Sequence, residues 1–233
     1  MAGPRLAGIV VVAVLVASGA HSAPNKCDVK AFDQASAHVI FLADKADMPL
    51  TAEGLDAGCP ALRTSLKTAE AYVNNCIGGL AQGMLKLLME GAGREVNGKC
   101  TEGDKGREAY LKVASCIIPK AGQQIHQCNK HVAAIFEAAV SRPKKDRIPL
   151  SCCYMGEYYE CVQKAASVCG SDAVAVTKSI VDNFAGDLMD SVCATWKPGS
   201  AKCKKLPALK PVSKPKFLTL APPLVNVLDS LNR

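Results

Sequence analysis

Aromatic residues make up only 5% of this 233-residue chain, and there are four His and one Trp. No C-x-x-C pair occurs anywhere, and with so few His the ligand spacings of zinc ribbons and fingers are absent. There is no G-x-S-x-G, H-E-x-x-H or P-loop, so the motif-borne hydrolase and phosphate-binding chemistries have no foothold. No N-x-[ST] sequon is present either, and N-glycosylation is not expected. With 18 Gly and 13 Pro, near ordinary usage, the chain is not collagen-like. Only one long apolar run exists, which excludes a polytopic membrane protein. An apolar fraction of 49% excludes disorder throughout, because enough surface is available to offset chain entropy.

That single run, LAGIVVVAVLVA at 6–17, follows Arg5 and precedes the small residues Ser18, Gly19 and Ala20. The layout is that of a secretory signal peptide at 1–20, cut after Ala20, with Ser22 and Ala23 as alternative sites. The run is shorter than the ~20 residues that a spanning helix needs. All 12 Cys follow it: Cys27, Cys59, Cys76, Cys100, Cys116, Cys128, Cys152, Cys153, Cys161, Cys169, Cys193 and Cys203. An even count in an exported chain reads as a disulfide framework rather than a metal site. Eight residues of helix rise ~12 Å, whereas bridged Cα atoms lie within ~7 Å. Helical geometry therefore forbids Cys161 with Cys169, Cys153 with Cys161, and Cys59 with Cys76. Adjacent Cys152 and Cys153 are expected to reach different partners, so the bridges run between elements.

Hydrophobic periodicity is helical throughout. Cys59, Leu62, Leu66, Ala69, Val73, Cys76 and Leu80 form one stripe that continues to Met84 and Leu87–Leu88 and fades at Gly91 and Gly93. Ile125, Cys128, Val132, Ile135 and Ala139 repeat the pattern, as do Cys152, Met155, Tyr159, Val162, Ala166 and Cys169. Further helices are predicted over 28–45 (Val29, Phe32, Ser36, Val39), 104–118 (ending before Pro119), and 172–194 (with Ser171 as N-cap). Met and Tyr on these stripes read as core. Linkers are predicted at 91–103 and at the basic, Pro-bounded 141–149. Cys76–Cys100–Cys116 and Cys128–Cys152/Cys153–Cys169 share a spacing that suggests two related halves, with Leu80 aligned to Val132.

The charge sits at one end. Residues 24–196 hold 19 basic and 20 acidic side chains, whereas 197–216 carry seven Lys, four Pro and no acid. This is a neutral domain with a basic extended tail, not a nucleic-acid-binding face. Lys197, Lys202, Lys204, Lys205, Lys210, Lys214 and Lys216 read first as a solvated segment or propeptide. Their second reading is a contact for an anionic surface such as lipid headgroups or sulfated polysaccharide. Cys203 is expected to tether the start of the tail. From Phe217 the chain turns apolar, and Leu224, Val227–Leu228 and Leu231 share a helical face that suits the core, a partner or a membrane surface.

The adjacent cysteines invite comparison with secreted phospholipases A2, but the catalytic His of that motif would fall at Gly156. Glu157 and Glu160 read as a solvated rim, and a metal site at His126, Cys128 and His131 would require a reduced Cys128. No catalytic, cofactor-binding or metal-binding residue is assigned. The run from Cys152 to Trp196, with CVQKAASVCG and a helix closing in SVCATW, resembles secreted arthropod proteins of the 27 kDa haemolymph glycoprotein type. Cys59 to Cys76 with AYVNNCIGG, and Cys100 to Cys116, are similar too, so the resemblance spans residues 27–196. It implies a secreted, all-helical, disulfide-linked body-fluid or salivary protein with no defined activity and no catalytic residues to carry over. The chain departs from that type in lacking sequons and in its Lys/Pro tail.

The expectation is thus an all-α, disulfide-stapled bundle of about six helices. It comprises a signal peptide (1–20), a cysteine-rich helical domain (24–196) and a Lys/Pro-rich tail with a short apolar C-terminus (197–233). Its expected role is extracellular and non-enzymatic: binding a hydrophobic small molecule or an extracellular partner, or being drawn to anionic surfaces by the tail. No cofactor, nucleic acid or membrane span is expected.

Overall fold

The computed structural model describes residues 27–229; the expected signal peptide and residues 230–233 lie outside the described residues. Those described are all-helical, without strands. Seven helices come first: α1 (Val29–Val39), α2 (Ala52–Cys76), α3 (Gly79–Lys99), α4 (Lys105–Cys116), α5 (Gly122–Val140), α6 (Lys144–Ala166) and α7 (Ser171–Ser191). A single turn, α8 (Ala201–Lys204), and a last helix, α9 (Ala221–Asp229), follow. No described helix is long and apolar enough to cross a membrane.

Local chemistry sets several of the starts. Asp28 accepts from the Lys30 and Ala31 amides to open α1, Thr51 accepts from Gly54 to open α2, and Asp104 accepts from Gly106 to open α4. α7 begins differently from expectation. Gly170, at φ +87°, is its cap, and Ser171 is already its first residue.

The described helices outnumber the expected six because the 59–88 stripe is two helices, Ala201–Lys204 adds the single turn α8, and the C-terminal apolar segment forms α9. The chain turns extended at Ile77 and Gly78, and Gly79 (φ +62°) takes a conformation that suits glycine. Gln82 reaches back across this break, its side-chain amide donating to the Val73 and Asn74 carbonyls near the end of α2. Leu80, in register with the α2 stripe, is consequently 57% exposed. The predicted linker at 91–103 is mostly helix, since α3 runs to Lys99, and the one at 141–149 is largely the start of α6. Pro143 stands at the α6 start, where no amide donor is needed, and Pro149 is carried in the second turn with Leu150 buried beyond it. Nor does Pro119 end its helix: the backbone widens into a π turn at Ile117–Ala121, which suits a residue with no N–H, and continues into α5.

Six disulfides tie these elements together, and each joins different elements. Cys27–Cys76 and Cys59–Cys100 fasten α1 to α2 and α2 to the end of α3. Cys116–Cys169 joins the ends of α4 and α6, and Cys128–Cys161 links α5 to α6. Cys152 and Cys153 diverge as expected, to Cys193 after α7 and Cys203 in α8. The pairing does not follow the suggested repeat. Cys76 bonds backwards to Cys27 while its counterpart Cys128 bonds forwards to Cys161, and exposed Leu80 has buried Val132 as its equivalent.

The C-terminal segment is seated on the core. Asp33, on α1 and almost fully buried, accepts from the Leu218 and Thr219 amides and the Thr219 hydroxyl. Glu137 accepts from the Lys216 and Phe217 amides. These two carboxylates deliver α9 onto α1, α3, α5 and α6, with Leu224, Val227 and Leu228 buried.

Candidate ligand chamber

Helices α1, α2, α3, α6, α7 and α9 do not meet perfectly at their centre, α2 contributing Ala69. They leave an apolar chamber of about 80 Å³. Phe32 and Ser36 come from α1, Leu85 and Met89 from α3, Met155 and Tyr158 from α6, Phe184 from α7 and Leu224 from α9. The amphipathic stripes supply these walls, since each places its apolar face inward. Met89 and Met155 are the adaptable parts of the lining. Beyond Met155 and Leu224 lies a smaller void of about 20 Å³, bordered by Ser151, Leu188 and Val227.

On the other side, the Val39–Phe41 segment divides the chamber from an open cleft of about 280 Å³. This partition is pinned. Asn129 donates to the Phe41 carbonyl at 3.0 Å, and the His126 ring N–H donates to the Leu42 carbonyl at 2.9 Å. Leu42 sits at φ +56°, a region leucine rarely occupies, so these anchors hold a strained backbone in place. Below it Lys99 pairs with Glu95 at 2.8 Å, both buried, and the Lys99 ammonium lies over the Phe41 and Tyr110 rings. The Lys99 charge borders the open cleft and not the chamber.

Two side chains bring hydroxyls to the chamber. Tyr158 is satisfied, donating to Asn129 Oδ1 at 3.0 Å. Ser36 Oγ is buried with no hydrogen-bond partner.

Burial pushes the phenols of Tyr110, Tyr158 and Tyr159 far above the ordinary tyrosine value; nearby carboxylates reinforce the effect for Tyr110 (Asp47) and Tyr159 (Asp182). Their raised folded-state values favour the protonated native state. That contribution is complete below the unfolded value of ~10 and is lost as pH rises through the folded values. Absorbance titration at the phenolate band should therefore show these tyrosines ionising only together with loss of helical circular dichroism. Ionisation near pH ~10 in a fully folded protein would contradict their burial.

The remaining sequence candidates are placed as follows. All 12 Cys are bridged, so Cys128 is not a thiolate ligand beside His126 and His131. Glu157 lines a second cavity of about 230 Å³ with His131 and the Cys128–Cys161 bridge. Burial raises its carboxyl pKa, which His131 opposes and Glu160 reinforces. Gly156, where the phospholipase motif has its His, is filled against by Pro198: a Cβ there would lie 2.0 Å from the proline ring. The seven tail lysines are all exposed. Among the described residues none has a carboxylate salt-bridge partner, and Lys202 lies over the Trp196 ring. The chamber and Ser36 were not assigned as a site from sequence; the only signal was a serine on the α1 apolar stripe. No family model matches the chain, and neither the curated proteins nor the solved structures searched contain a match.

Proposed function

We propose that this chain works outside the cell as a non-enzymatic binding protein that holds a hydrophobic small molecule between its helices. The supporting observation is the apolar chamber of about 80 Å³ at the junction of six helices. Sites between helices are common positions for such ligands, and a dry apolar void binds apolar guests. Six disulfides suit an oxidising extracellular setting and keep the walls from collapsing inward.

Thermal unfolding against a panel of small apolar compounds tests this reading. A ligand present at a hundred times its dissociation constant should stabilise the protein by about 2.7 kcal/mol, a shift of several degrees. No shift across the panel, together with no apolar molecule extracted from natively purified protein, would remove the proposal.

A second reading rests on the tail. Seven exposed lysines, whose ammonium groups have no salt-bridge partner among the described residues, form a basic stretch beside a nearly neutral domain, which suits an anionic polysaccharide or lipid surface. Replacing all seven by Gln should move heparin elution to markedly lower salt and abolish binding to vesicles containing anionic lipid. Unchanged elution and vesicle binding would dismiss the tail as an anchor.

A further inference from the structure

Resting on the binding function proposed above, we infer that the chamber selects a compact neutral molecule of at most about five non-hydrogen atoms, one of them oxygen, which hydrogen-bonds to Ser36 Oγ. Helical hydroxyls ordinarily find a partner on their own helix. Here Thr64, Thr68, Thr177 and Ser191 all donate to the carbonyl four residues earlier. Ser36 and Ser151 depart from that habit: both are buried without a partner, Ser151 beside the smaller void and Ser36, 4% exposed, on the chamber itself. Tyr158 is committed to Asn129, so Ser36 is the one unpartnered side-chain hydroxyl on an otherwise apolar wall. A hydroxyl both donates and accepts, so it suits an alcohol, aldehyde or ketone oxygen. A carboxylate does not fit, because no cation lines the chamber to offset its desolvation. The volume sets the size. About 80 Å³ is half of an engineered 150 Å³ cavity that accepts benzene, and Met89 and Met155 give some room to adapt.

Butan-1-ol, n-pentane and pentanoate make the test set, because the first two differ only by a hydroxyl in place of a methyl. Binding is read from the methyl resonances of Met89 and Met155 in the wild type and in Ser36→Ala. Butan-1-ol should shift both methyls saturably, and Ser36→Ala should weaken it roughly five- to tenfold while leaving n-pentane unchanged or tighter. Pentanoate should leave the methyls unmoved. Ser36→Ala should also unfold at or above the wild-type temperature, because it removes an unpaired hydroxyl. If the substitution weakens neither ligand, the role of Ser36 is overturned while the chamber stands as a binding site. Pentanoate binding as tight as butan-1-ol would overturn the preference for a neutral ligand. If no ligand moves the Met89 and Met155 methyls, the chamber reading itself falls.

Discussion

Alanine at Gly91 should destabilise the protein by about 3 kcal/mol or more, although it adds one methyl group and improves helix propensity. Gly91 is where α3 crosses α7. A Cβ at this position would lie 1.9 Å from the Asn183 carbonyl oxygen and 3.2 Å from Phe184 Cα. These are backbone atoms, so no side chain can swing aside, and the two helices would have to part. Parting them would undo contacts on both sides of the crossing. Arg94 donates to the same Asn183 carbonyl, Asn183 donates to Glu95, and Glu95 pairs with buried Lys99. Leu88, Met89 and Ala92 of α3 and Phe184 and Ala185 of α7 also line the chamber. Gly83→Ala is the internal control. It lies on the same helix with nothing within 4 Å of the added carbon, so it should stabilise by up to ~1 kcal/mol. Urea unfolding of the two variants measures both, and equal stability of Gly91→Ala and wild type would refute the close crossing.

The second large effect is expected at Asp33. This one carboxylate accepts three hydrogen bonds from Leu218 and Thr219, residues some 185 positions away in sequence. Thr219 is 2% exposed, so removing the acceptor strands donors that water does not reach. Asp33→Ala should cost about 3–5 kcal/mol. Asp33→Asn should cost less, because its amide oxygen still accepts. The effect has a local signature. Leu220, Ala221 and Leu224 form part of the chamber wall, so loosening α9 uncovers apolar surface. Asp33→Ala should bind a hydrophobic fluorescent dye more strongly and be cleaved by protease between 205 and 220 while α2 to α6 stay protected. Uniform protection of that stretch would show that Glu137 alone seats it.

What the sequence made legible was local. The stripes of α2, α5 and α6 and the divergence of Cys152 and Cys153 follow from spacing within one element. What it hid was set by partners distant in sequence. Leu80 extends the α2 period, and only the conformations of Ile77, Gly78 and Gly79 show that the helix has ended. Gly91 reads as a breaker because the reason for it, α7, lies about ninety residues downstream. Pro119 reads as a stop because a π turn has no sequence period of its own. The apolar face at 224–228 was visible, but its seat depends on Asp33 and Glu137 on remote helices. The chamber was least visible of all, since it is the shape left over where six helices meet.

Xenon tests that chamber most directly, because it needs only an apolar, enterable void and no knowledge of the ligand. A crystal pressurised with xenon should show one atom bordered by Phe32, Leu85, Met155 and Phe184. Solvent-like density there, or xenon bound only elsewhere, would contradict a ligand chamber at the heart of this disulfide-linked bundle.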